Sequence, residues 1–128
     1  MIVLLDTSTS LCQLTLVDGE HEARYEWQAD RQLAKGLLRW LEDRLADEGK
    51  VWRDVTAIGA FVGPGSFTGL RIGLTVLNTL ADSLEISIVG CRGDNWQADA
   101  KMRLSAGEND RIALPFYGAE ANITIPRK

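Results

Sequence analysis

Histidine is nearly absent from this sequence and cysteine is scarce: one His and two Cys in 128 residues. Cys12 and Cys91 are far apart and form no CxxC, so neither a zinc-ligand spacing nor a disulfide framework can be built from them. They read as reduced thiols in a core, the usual state of free cysteine. His21 has acidic neighbours but no second imidazole or thiol to share a metal, so it reads as an exposed hairpin residue and no metal site is expected. Without an HExxH or a base beside a nucleophile, proteolysis lacks its parts. Long hydrophobic runs are missing too: none reaches the roughly 18 residues of a membrane span. The chain opens directly on Ile2-Val3-Leu4-Leu5-Asp6, with no basic leader or h-region, which sets the expectation of a cytoplasmic protein with no membrane contact. Positive charge is in deficit, 14 Lys and Arg against 18 Asp and Glu, a net charge of -4. A dominant phosphate-binding surface is therefore not expected, although a local basic strip is compatible with the total.

What is present is an ordinary globular composition, 45% apolar and 25% charged, in a length suited to one domain. Met1 to Asp6 is a short apolar run of the kind that forms a central strand. Leu11 to Val17 alternates with period two, and Asp18-Gly19 marks a tight hairpin, read as type I′, before a return strand at 21–28 with Ala23, Tyr25 and Trp27 on one face. A helix is expected over 31–48, where Leu33, Leu37, Leu41 and Leu45 recur every four residues, joined by Ala34, Leu38 and Trp40. Asp30 is its expected N-cap and Gly49 its stop. A strand at 55–62, a helix at 69–83 bearing Leu70, Leu74 and Leu77, and a strand at 86–89 complete the order βββ-α-β-α-β. Residues 92–110 are polar and Gly-containing; 111–117 could add an edge segment, and 118–128 reads as a loosely held tail.

Two features admit both a structural and a functional reading. Gly63-Pro64-Gly65-Ser66-Phe67-Thr68-Gly69 joins a strand to a helix. It is a tight structural turn or, through the amides of the helix N-terminus, a phosphate-contacting loop. It is neither a Walker A sequence, having no lysine, nor GxGxxG. Gly69 and Gly73, one turn apart, permit close approach by the protein's own sheet or by a partner. The apolar face of the first helix is likewise wide enough for deep burial or for a helix supplied by another subunit.

The run Gly63-Pro-Gly-Ser-Phe-Thr-Gly-Leu-Arg-Ile-Gly73, together with the opening Ile2-Val-Leu-Leu-Asp-Thr-Ser-Thr9, closely resembles the TsaB (YeaZ) family over residues 1–90. The resemblance implies an α/β fold, a single actin-like (ASKHA, ribonuclease H-like) lobe with a mixed five-stranded sheet. It also implies a role as the non-catalytic scaffold of the bacterial complex that installs N6-threonylcarbamoyladenosine on tRNA. The partners implied are TsaD, TsaE through the TsaB–TsaD complex, and tRNA indirectly, with a homodimer expected when the chain is alone and no cofactor. TsaB proteins pair with TsaD through two N-lobe helices, which puts Leu33, Leu37, Trp40, Leu41, Gly69, Leu70, Gly73, Leu74 and Leu77 at the expected interface. Asp6, Gly63, Gly65, Ser66 and Thr68 are the expected contacts for any anion.

Two departures from the family pattern follow. The stretch after residue 89 is too short for a second actin-like lobe, so 91–128 is read as a short extension of the 1–90 lobe, a remnant in a naturally minimal member, and intrinsic ATP binding is not expected. Arg31-Gln32-Leu33 carries Leu where the family usually has His. The alternative is a small nucleotide-binding kinase or ATPase of the same fold, with Asp6 and the glycine turn at the phosphates.

Overall fold

The computed structural model describes residues 1–116. Five strands form one mixed sheet: β1 (Ile2–Asp6), β2 (Leu11–Asp18), β3 (His21–Gln28), β4 (Ala57–Phe61) and β5 (Ser87–Cys91), in the spatial order β3-β2-β1-β4-β5. β1 pairs antiparallel with β2 and parallel with β4, and β4 pairs parallel with β5. The strand order along the chain and the mixed pairing agree with the sequence reading. Three helices cover the sheet: α1 (Leu33–Asp47) and α2 (Phe67–Leu84) on one face, α3 (Trp96–Ser105) on the other.

The apolar run of β1 reflects its position at the centre. Val3 and Leu5 point into the larger core under α1 and α2, Leu4 into the smaller one under α3, and all three are buried. On β2, Cys12, Leu14 and Leu16 join the larger core. The β2–β3 hairpin pairs Asp18 with His21, so its central residues are Gly19 and Glu20. Only Gly19 has positive φ (64°), the type II′ pattern with glycine first, in place of the expected type I′.

The helix ends show where local chemistry decided the boundaries. Asp30 does not cap α1: it has φ 49° and begins a 3₁₀ turn (Asp30–Gln32), while its carboxylate accepts a hydrogen bond from Gln28 Nε2 (2.9 Å). The C-terminus stops at glycine as expected. Gly49 (φ 74°) donates to Ala46 O and Lys50 to Leu45 O, both at 2.9 Å, the paired bonds of a Schellman motif. α2 starts two residues earlier than expected because Ser66 caps it, Oγ accepting from the Gly69 amide (3.2 Å). It ends on Glu85 in the left-handed region (φ 58°), followed by a bond from the Ile86 amide to Ala81 O (3.0 Å).

Helix α3 lies in the polar, Gly-containing stretch to which the sequence reading assigned no element. Its helical stripe is thin: Trp96 and Ala100 are buried and Leu104 half-buried, spaced by four. Gly59 on β4 makes the seat, because a Cβ there would meet Leu4 and the Ala100 methyl. Trp96 also meets Phe61, with ring centroids 5.7 Å apart. Residues 92–110 thus close the far side of the same sheet. Beyond α3, residues 111–116 form no strand; Tyr117 and the tail fall outside the described residues. The outer edge of β5 is saturated by side chains and loop instead. Asn109 Oδ1 accepts from the Ile88 amide (3.1 Å), Asp110 Oδ2 from the Gly90 amide (2.8 Å), and Arg103 Nη1 donates to Gly90 O (3.0 Å). An edge occupied this way is closed to strand pairing.

Candidate functional site

The sequence places two candidate sites on the molecule, and the structure treats them differently. The first is the glycine turn between β4 and α2. Because β1 and β4 are parallel neighbours, their following loops lie side by side, and the Thr7-Ser8 turn sits directly on the glycines. A Cβ on Gly65 would overlap Ser8, and one on Gly69 or Gly73 would overlap Thr7. Thr7 is buried, and its Oγ1 donates to Gly69 O at 2.8 Å. The Ser66 amide donates to Ser8 O (2.8 Å). Gly63 (φ 123°) lies under the Phe116 carbonyl and the Leu70 side chain.

The five residues expected to contact an anion are not gathered round one cavity. Asp6 accepts the Ser8 amide on Oδ1 (2.8 Å) and lines a polar cleft with Gln13, Thr15, Arg24, Trp96 and Gln97 on the α3 side. Thr68 faces the opposite way, into a groove beside α1. Gly63, Gly65 and Ser66 are engaged by Phe116, Ser8 and the helix cap. The turn serves to dock α2 against the end of β1.

The second is the helix pair. The expected interface residues Leu33, Leu37, Leu41, Leu70, Leu74 and Leu77 are all buried in the core of this chain. Their four-residue period faces the sheet, so they are not available to a partner, and this corrects the expectation. Gly73 is likewise buried and Gly69 half-buried, and the close neighbour of both is Thr7. Trp40 is half-buried, stacked on Trp27 with centroids 5.4 Å apart. Gly36 leaves the space that the Trp27 ring fills.

What faces outward is a different set. Ala34 from α1 and Thr68, Arg71, Ile72, Thr75 and Val76 from α2 line a mainly apolar groove of about 360 Å³. Leu38, one turn beyond Ala34, is 48% exposed, and Phe67 at the start of α2 is 53% exposed. These residues form a second apolar stripe, offset from the leucines: Ala34 and Leu38 on α1, Ile72 and Val76 on α2, each pair four apart. The signal is in the sequence, hidden by the stronger leucine repeat beside it.

Side chains tie the C-terminal end of α1 to β3. The Tyr25 hydroxyl on β3 donates to Glu48 at the end of α1, and His21 lies 3.4 Å from the same carboxylate. Hydrogen bonding to Glu48, with some desolvation, pushes the Tyr25 phenol up to about 12, while donation by Tyr25 holds the Glu48 carboxyl below its ordinary value. The Arg44 guanidinium lies over the Tyr25 and Trp40 rings at 5.6 and 5.8 Å.

Comparison with known proteins agrees with this architecture. The family model described as "TsaD: tRNA N6-adenosine threonylcarbamoyltransferase" matches residues 27–101, more than half of the chain. The chain belongs to this family. Within it, the relatives are TsaB (YeaZ) proteins. The chain is 30% identical over 113 residues to the tRNA threonylcarbamoyladenosine biosynthesis protein TsaB of Haemophilus influenzae, covering 88% of this chain and 48% of that one. With the protein of the same name from Escherichia coli it is 34% identical over 123 residues, covering 91% and 53%. Among solved structures, YeaZ from Pseudomonas aeruginosa superposes with a TM-score of 0.69 at 29% identity, over 83% of this chain and 49% of that chain. A second P. aeruginosa structure, described as an uncharacterized protein with similarity to peptidase YEAZ, gives 0.67 at 32% identity over 71% and 42%. The chain spans about half the length of these TsaB relatives. Its fold is therefore an actin-like lobe of the TsaB (YeaZ) type. No helix among the described residues is long and apolar enough to cross a membrane.

Proposed function

We propose that this chain is a scaffold subunit of the bacterial machinery for tRNA N6-threonylcarbamoyladenosine, binding TsaD in the cytoplasm without itself catalysing the transfer. Recruitment of TsaE follows from that complex, and contact with tRNA is indirect. The observation that carries the reading is the groove between α1 and α2, lined by Ala34, Ile72 and Val76 and flanked by exposed Leu38, on a chain whose relatives are TsaB proteins. Two helices fixed to a sheet present a firm surface with an apolar furrow, into which a partner's helix can set its own ridge. The docking residues are those of the outer stripe, because the leucines already fill the core.

Co-expression with the cognate TsaD tests this. The two chains should co-purify, and Ile72→Glu or Leu38→Glu should separate them while leaving the melting temperature of the isolated chain within a few degrees, as expected for exposed and half-exposed positions. Co-purification undiminished by both substitutions would remove this face from the assembly.

A further inference from the structure

The two edges of the sheet are finished differently. The outer edge of β5 is saturated by Asn109, Asp110 and Arg103. Nothing comparable covers β3: among the described residues, only β2 hydrogen-bonds to its main chain. β3 runs from His21 to Gln28 and pairs with β2 one for one, with no bulge, proline or lysine, the devices that usually protect an open edge. Asp18 and His21 close the hairpin as a hydrogen-bonded pair, so odd-numbered residues of β3 turn their N–H and C=O to β2. Even-numbered residues turn theirs outward. The side chains of Glu22, Arg24, Glu26 and Gln28 are exposed, and the first three alternate in charge. Ala23, Tyr25 and Trp27 stand on the other face, half-buried against the larger core.

We propose that the β3 edge pairs antiparallel with the β3 edge of a second copy, about a twofold axis at Tyr25, joining two five-stranded sheets into one. Outward backbone groups must meet outward ones, so the axis falls on a residue and not between residues. With Tyr25 on the axis, Arg24 of each copy lies opposite Glu26 of the other. Glu22 then faces Gln28, and Ala23 faces Trp27 across the seam. The neighbouring registers are worse. With Arg24 on the axis, Arg24 meets itself and Glu22 meets Glu26; with Glu26 there, that carboxylate meets its own copy; with Ala23 there, Glu26 meets Glu20. Opposite charges directly across a strand pair stabilise it and like charges destabilise it, so the charge order of β3 selects both partner and register. The contact is small, below the ~1,200 Å² of standard interfaces, so the pairing is weak and concentration-dependent. It uses no residue of the α1–α2 groove and does not rest on the docking face proposed above.

Sedimentation equilibrium of the full chain tests this, with Ile72→Glu present throughout so that the groove contributes no association. That chain should dimerise as its concentration rises. Adding Arg24→Glu, or Glu26→Arg, sets like charges opposite each other twice and should weaken the dimer roughly tenfold. An equimolar mixture of those two chains restores every opposite-charge pair and should dimerise as well as the Ile72→Glu chain alone. The swap Arg24→Glu/Glu26→Arg should do the same. Both side chains are exposed, so the melting temperature should move little, and recovery in the mixture excludes misfolding as the cause of the loss. A chain that stays monomeric up to millimolar concentration, or a dimer indifferent to both reversals, would overturn the pairing and leave this edge to a strand of another protein. A mixture that associates no better than either reversal alone would overturn the Tyr25-centred register. Co-purification with TsaD reads the groove and sedimentation reads β3, so either conclusion can fail without the other.

Discussion

Replacing Gly73 with alanine separates the two uses of a small residue on a helix. At an exposed helical position the change would add about 1 kcal/mol of stability, because glycine is the poorer helix former. Here the new methyl would run into Thr7, whose Oγ1, Cγ2 and Cβ would all lie closer to it than real contacts allow. Thr7 cannot swing away freely: it is β-branched, 3% exposed, and its hydroxyl is bonded to Gly69 O at 2.8 Å. Overpacking a filled site costs about 1–3 kcal/mol. Loss of the Thr7 hydrogen bond adds about 0.5–1.5 kcal/mol. After the helix-forming gain is deducted, Gly73→Ala should destabilise by roughly 2 kcal/mol. For a domain of this size that lowers the melting temperature by roughly 6–10 °C. Urea titration followed by circular dichroism reads the change, and a cycle with Thr7→Ala locates it. Removing Oγ1 and Cγ2 should recover about 1 kcal/mol in the double variant relative to additivity. A Gly73→Ala protein more stable than the parent, with no coupling to Thr7, would falsify the placement of α2 against the end of β1.

Other consequences can be checked on the isolated chain. Trp96→Ala should cost about 3–5 kcal/mol and shift the whole unfolding transition, since Trp96 is buried in the core that α3 shares with β1, β2 and β5; a separate early transition would make α3 an independent appendage. Glu85→Gly should stabilise by about 1 kcal/mol, because Glu85 holds φ 58° at the end of α2, where glycine carries no Cβ penalty; a lower urea midpoint would contradict that backbone assignment. Burial, aided by the Asp6 carboxylate, pushes the Cys12 thiol from 9.0 up to about 12. The folded chain therefore holds this proton more tightly than the unfolded one, so its contribution is complete below pH 9 and is lost as pH rises toward 12. The difference in urea midpoint between the parent and Cys12→Ala should accordingly shrink as pH is raised through that window, and a pH-independent difference would show the thiol to be unperturbed.

The strands, the two long helices and their order in the chain were determined by the sequence alone. Period two in β2, the leucine repeat of α1, the glycine stop at Gly49 and the continuous apolar run of β1 are local patterns with one structural solution each. Helix α3 was not legible, since a stripe of Trp96, Ala100 and Leu104 becomes apolar enough only against the seat that Gly59 leaves on β4. Nor could periodicity say which apolar stripe of the helix pair faces in. A helix has no inside until a sheet lies against it, and here the sheet took the leucines while Thr7 took the space at Gly69 and Gly73. What remained outside, from Ala34 and Leu38 to Ile72 and Val76 with basic residues around them, was decided by that choice in three dimensions.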